Sequence, residues 1–358
     1  MKKLIALFLV LALLGTLAGC AGTTVVVGNC TCPPESHVTV ETPTEAPVAV
    51  EGALKTGLAI LPSISGSASA TAEANGKADY DVTVVAVTVD ENGVISACVI
   101  DSVGTSVEFD AAGLPVGFDP EAKILTKNEK GFDYGMVAYN ASAIGKEWFE
   151  QAAALAQFAV GKTVEEVKGG IAGGYAADAD LATSASIYLG GYVAAIEKAV
   201  ANAKVLGAEA GDELKLAVIS SMTASAGEEA GGAAELTVDV AAVTMDGDMI
   251  TSCTIDSLQA QVAFDGTGAI TTDLTVAPLT KNEKGFDYGM VAYQASGIGK
   301  EWFEQAESFC AYVTGKTAAE VAGIAISETT KPAEGTDLAA SVTIAIGGFQ
   351  ALIAKAAQ

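Results

Sequence analysis

An internal repeat constrains this chain more than any other feature. The segment TKNEKGFDYGMVAYNASAIGKEWFEQ (126–151) returns as TKNEKGFDYGMVAYQASGIGKEWFEQ (280–305), and only two of 26 positions differ: Asn140 against Gln294 and Ala143 against Gly297. A weaker match extends on both sides. Asp101 pairs with Asp256, Asp110 with Asp265, Gly161-Lys162-Thr163 with Gly315-Lys316-Thr317, and Asp180-Leu181 with Asp337-Leu338. A unit of roughly 150 residues has the size of a domain, not of a solenoid repeat. The two copies are placed at 53–203 and 208–358.

Each copy opens with strand signals. YDVTVVAVTV (80–89) is rich in β-branched residues, a turn follows at 90–93, and further runs at 94–100 and 106–109 lead to a second turn at 110–113. Such runs separated by Gly-containing turns make an antiparallel meander. The second copy repeats the pattern, with Asp246-Gly247-Asp248 as a shorter turn. The back half is helical. Trp148, Phe149, Ala152, Leu155 and Ala156 fall at helix spacing, as do Trp302, Phe303, Ala306, Phe309, Cys310 and Val313. Thr163 with Glu166, and Thr317 with Glu320, form Thr-x-x-Glu capping boxes. A last helix is predicted over about 184–203 and 341–357. The expected fold class is therefore α+β: two tandem copies of an antiparallel sheet with helices packed on one face.

The first residues address the chain. Lys2 and Lys3 precede an apolar run, Leu4 to Leu14, and small residues lead to Leu17-Ala18-Gly19-Cys20. A charged start, a short apolar core and a small-residue cut site describe a secretory signal, and the run is too short to span a bilayer. Cysteine directly after Leu-Ala-Gly resembles the bacterial lipobox. That resemblance implies a signal at 1–19, a lipid on Cys20, and an extracytoplasmic protein anchored to the cell membrane. Residues 20–52 are rich in Thr, Pro, Val and Glu and read as an extended tether.

Charge and cysteine narrow the chemistry. There are 19 basic and 44 acidic residues, and loss of Lys2 and Lys3 takes the net charge from −25 to −27. So acidic a surface repels phosphate backbones, which excludes nucleic acid as a partner. The only histidine, His37, lies in the tether, so no metal site and no Ser-His-Asp or Cys-His arrangement is expected. No catalytic residues are assigned. Of six cysteines, Cys20 is assigned to lipid and Cys30 and Cys32 lie in the tether. Cys98 and Cys253 share one repeat position, and Cys310 stands where copy one has Ala156. This is no paired framework, so the copies are expected to fold on apolar cores.

Three segments are candidate sites. Gly161-Lys162-Thr163 lacks the earlier glycine of a phosphate loop and joins two helices, so it reads as a cap. The TKNEKGFDYGM loops, with Tyr134 and Gly135 in copy one and Tyr288 and Gly289 in copy two, admit two readings: a demanding turn, or a ligand loop. The third is DLATSASI (180–187) and its counterpart DLAASVTI (337–344), where an acid and small hydroxyl residues precede the last helix. Free amides at a helix start attract an anion such as a phosphate, and ordinary capping by Thr183 or Ser341 is the alternative.

This third segment resembles the motif of the FMN-binding domain family of exported electron-transfer proteins, Asp-x-x-Ser/Thr-Gly-Ala-Ser/Thr before a terminal helix. The resemblance implies FMN attached through a phosphoester to Ser186 and Thr343, with Asp180 and Asp337 as motif acids and Thr183, Ser184 and Ser341 beside the cofactor. Ser184 and Ser341 replace the family glycine, and copy two has Ala340 and Val342 at two further motif positions. The function so implied is that of a flavin-carrying lipoprotein, at most a flavin-dependent electron carrier, with a redox or envelope protein as partner. The alternative is a non-enzymatic surface module that binds through the two TKNEKGFDYGM loops, near-identical loops on linked domains being suited to bivalent capture.

Overall fold

The computed structural model describes residues 52–226 and 231–358. The signal, Cys20 and the tether up to Glu51 lie outside the described residues. Copy one begins with the antiparallel strands β1 (Ala53–Ser63), β2 (Gly76–Val89) and β3 (Ile95–Phe109), bordered by β4 (Pro115–Val116). Then come α1 (Lys127–Lys130), α2 (Trp148–Ala159) and α3 (Val164–Gly169). The small hairpin β5 (Ile171–Ala172) and β6 (Tyr175–Ala176), α4 (Ala179–Ala182) and α5 (Gly190–Ala201) complete the copy. After β7 (Lys204–Glu209), copy two repeats the plan. Its strands are β8 (Glu213–Ser225), β9 (Gly232–Asp246) and β10 (Met249–Phe264), and its helices α6 (Lys281–Lys284), α7 (Trp302–Val313), α8 (Ala318–Ala322) and α9 (Gly347–Ala356).

The fold is α+β, and each sheet carries its own copy's helices on one face. Alternation along the strands explains why. In β2, Val82, Val84 and Ala86 point to one side, and Val85, Val87 and Val89 to the other, against α2 and α5. A strand with both faces apolar must be covered twice. The second cover is the other copy. Val82 and Val84 share one core with Leu236, Val238 and Val240 of β9, so the sheets pack face to face with helices outside. The described residues accordingly form one compact unit.

Contacts between the copies are reciprocal. Lys198 of α5 pairs with Glu283 at 2.7 Å, and its counterpart Lys355 of α9 pairs with Glu129 at 2.7 Å. Phe109 and Phe264, at equivalent strand ends, stack with centroids 4.0 Å apart. Tyr80 reaches across to donate its hydroxyl to the carbonyl of Ala234 at 2.7 Å.

Three expectations are corrected. The runs at 94–100 and 106–109 are one strand, because Gly104 pairs with Asp81 and carries the ladder through. Residues 204–207, left between the copies, belong to β7, which runs on to Glu209 and adds to the edge of β1. The last helices begin at Gly190 and Gly347, several residues later than predicted.

Candidate functional site

The repeated loop is first a piece of construction. Thr126 caps α1 by accepting from the amide of Glu129, whose carboxylate accepts from Thr126 in return. Asn128 donates its side-chain amide to the carbonyl of Ile100 and its backbone amide to the buried Asp101. Gly131–Tyr134 makes a 3₁₀ turn closed by Gly135 at φ +80°. The buried Glu147, at the cap of α2, then clasps the loop by accepting from the amides of Met136 (2.8 Å) and Val137 (3.0 Å). Copy two repeats these bonds through Thr280, Asn282, Gly289 and Glu301. The demanding turn of the sequence reading thus accounts for much of the near-identity.

The segment before the last helix is tied to the same place. The side-chain oxygen of the fully buried Gln151 accepts from the amides of Ser186 (2.7 Å) and Ile187 (3.2 Å), and the Ser186 hydroxyl lies 3.2 Å from it. Gln305 holds Thr343 in the same way, its oxygen accepting from the amide at 2.8 Å. Asp180 and Asp337 are exposed, each in the first turn of a single-turn helix. Thr183 and Ser341 close those turns, their hydroxyls donating back to the carbonyls of Asp180 and Leu338. Neither caps the last helix. Ser184 is half-buried just beyond the turn. The bare amides expected at Ser186 and Thr343 are therefore already bonded, and these residues lie ahead of the helix rather than at its start.

In copy one, loop and segment meet around a cleft of about 660 Å³. Trp148 and Lys127, both buried, form its floor, and Tyr134 and Tyr192 stand beside them. Tyr139, Tyr188 and Asp81 line the exposed rim, and Gly135 and Ile187 complete the wall. The Lys127 ammonium sits 5.6 Å from the Tyr134 ring centroid and 5.3 Å from that of Trp148, within cation–π range. Its nearest carboxylate, Asp81, is 3.7 Å away. Burial works against its charge, but Tyr192, Asp81 and Tyr134 outweigh burial and hold the ammonium above its ordinary value. The Trp148 indole donates to the Tyr192 hydroxyl at 2.9 Å, which fixes both rings.

No protein-family model, no curated protein and no solved structure matches this chain. The site therefore stands on its own geometry.

The copies differ at this point. Ala345 replaces Tyr188, and Phe349 replaces Tyr192 and packs edge-on against Trp302 at 5.8 Å. Burial lowers the ammonium of Lys281, and Asp239 and Asp256 do not compensate fully. Sequence reasoning selected Tyr134 and Gly135 but missed Asp81, Tyr188 and Tyr192. For Tyr188 and Tyr192 the signal was the contrast between copies, polar aromatics in one and apolar residues in the other. Among the described residues no cluster of acids, cysteines or histidines could hold a metal, and no helix is long and apolar enough to cross a membrane.

Proposed function

We propose that the chain is an envelope lipoprotein, tethered through Cys20, whose copy-one cleft holds a planar anionic aromatic ligand, with FMN as the ligand the motif resemblance suggests. The observation that carries this reading is the cleft itself, where the repeated loop and the Ser186 segment converge on edge-on and tilted aromatic rings around one cation. Its volume falls within the range of small-molecule sites. Tyr139 and Tyr188, exposed at the rim, offer ring surface to a flat ligand, and Lys127 offers its ammonium to a carbonyl or phosphate oxygen. The residues fit a flavin ring better than they fit a phosphoester. The amides of Ser186 and Ile187 are engaged by Gln151, so retention by contact is the form the geometry favours. A flavin in this cleft would supply one- and two-electron transfer to an envelope redox partner. The residues of the chain bind it, orient it and shield one face from water.

The test is a spectrum of the protein purified from its own membranes. Flavin absorbance that leaves on denaturation supports retention by contact; flavin that stays with the Ser186 peptide supports the phosphoester. Lys127→Met and Tyr188→Ala should each weaken FMN binding about tenfold or more, a loss of roughly 1.4 kcal/mol or more. Lys281→Met should leave binding unchanged. A colourless protein that also ignores added FMN ends the flavin reading.

One observation favours the surface-module alternative. Phe132 and Tyr139 are 75% and 81% exposed, and Phe286 and Tyr293 are 73% and 82% exposed. These four side chains, rather than the half-buried Tyr134 and Tyr288, present the repeated loops to a partner. Replacing Phe132, Phe286 and Tyr293 with serine, with the cleft-rim residue Tyr139 left in place, should abolish partner capture while leaving FMN binding within about threefold.

A further inference from the structure

We propose that Cys253 and Cys310 are a preformed dithiol that closes to a disulfide in an oxidising environment and staples α7 to β10 in copy two alone. The two sulfurs lie 3.3 Å apart, both residues are buried, and 57 positions separate them in sequence. One sits on the strand β10 and the other on the helix α7 packed across it. A disulfide brings sulfurs to about 2 Å, so small side-chain rotations suffice. Both residues also line a groove of about 860 Å³ between α5 and α7, which gives a small reagent access to them.

The oxidant is a low-molecular-weight disulfide. Cys310, the more exposed of the two, attacks one of its sulfurs as the thiolate and expels a first thiolate, which takes up the proton that Cys310 gave up. Cys253 then loses its proton and attacks the Cys310 sulfur of the mixed disulfide, expelling the second thiol. Two protein thiols are oxidised to one disulfide, and the small disulfide is reduced to two thiols. The hydrogen bond to Cys310 and burial hold the Cys253 thiol well above its usual range, so the second step is expected to be slow. Copy one supplies an internal control. Cys98 occupies the same strand position but faces Ala156, and burial pushes its thiol up to about 12. It should remain a single thiol.

That the protein meets such an environment rests on the export reading above, and the experiment separates the two ideas. The full chain is purified from its membranes, treated with oxidised glutathione, alkylated and digested with trypsin. A cross-link between the tryptic peptides 216–281 and 301–316 supports the proposal; two separately alkylated peptides overturn it. The same digest without glutathione, together with protease accessibility of intact cells, reports the compartment. A chain that is inaccessible from outside, yet cross-links with glutathione, counts against export and for the dithiol. Cys310→Ala, which reproduces copy one, should give no cross-link and a thermal midpoint insensitive to reductant. The oxidised parent should lose several degrees on reduction, and a parent midpoint unmoved by reductant would count against the staple.

Discussion

Gly135 shows why single residues in the repeated loop tolerate so little change. Its φ of +80° belongs to the left-handed region, and a Cβ there would stand 2.8 Å from the Tyr139 ring. Gly135→Ala is expected to destabilise the fold by about 1–3 kcal/mol and to move Tyr139 off the cleft rim. Urea unfolding and FMN affinity report the two effects. Asp256 makes a different residue-level prediction. Burial lifts its carboxyl to about 6, against the lowering effect of its bonds from Thr280, Asn282 and Ser257. Between about pH 4 and pH 6 the folded chain keeps a proton that the unfolded chain has released, so stability falls as pH rises through that window. The shift corresponds to about 3 kcal/mol. Asp256→Asn should flatten this part of the stability–pH curve, as followed by denaturant midpoints; an unchanged slope would remove Asp256 as its source.

At the scale of elements, the buried glutamines are the joints. Gln151 on α2 accepts from Ser186 and Ile187 and donates to the carbonyl of Lys146 at 2.9 Å, tying helix, loop end and final segment together. Gln151→Leu keeps the bulk but strands two amides, at a cost of about 1–3 kcal/mol each if they stay dry. It should also release the Ser186 segment, visible as faster amide exchange at Ser186 and Ile187 than at the neighbouring α5. Equal protection in the variant would show that the segment is held by packing alone. The capping boxes are more local. Thr163 and Glu166 bond each other at the start of α3, and Thr163→Ala should cost about 1 kcal/mol without touching the cleft.

Across the whole molecule, the decisive feature is the core shared by the two sheets. Gly113 and Gly268 let the strand-end turns interlock, since a Cβ on either would stand 2.6–2.7 Å from a carbonyl oxygen of the other copy's turn. Copy one produced alone as residues 52–210 would expose Leu58, Val82, Val84 and Phe109 to water. Apolar faces of that size drive association. The isolated copy is therefore expected to run as a dimer or aggregate in light scattering; a folded monomer would contradict the shared core. Lys198–Glu283 and Lys355–Glu129 are part-exposed, and each pair contributes at most about 1 kcal/mol, so salt should lower the thermal midpoint only slightly.

The sequence by itself determined the repeat, the meander, the helix spacing and the caps, because each depends on neighbours a few residues apart. Hydrophobic period and turn chemistry are local, and they were legible in YDVTVVAVTV (80–89) and in the Thr-x-x-Glu pairs. The same patterns could not show that both faces of β2 are covered, since the second cover comes from residues some 150 positions away. Nor could they show that the Ser186 amides are spent on Gln151, or that Tyr188, Tyr192 and Asp81 meet the repeated loop. Only the tertiary structure decided that copy one kept a polar aromatic cleft while copy two filled the equivalent place with Phe349 and set two cysteines side by side. The physical reason is that a site is made by side chains distant in sequence, and their meeting is settled by how the sheets and helices pack.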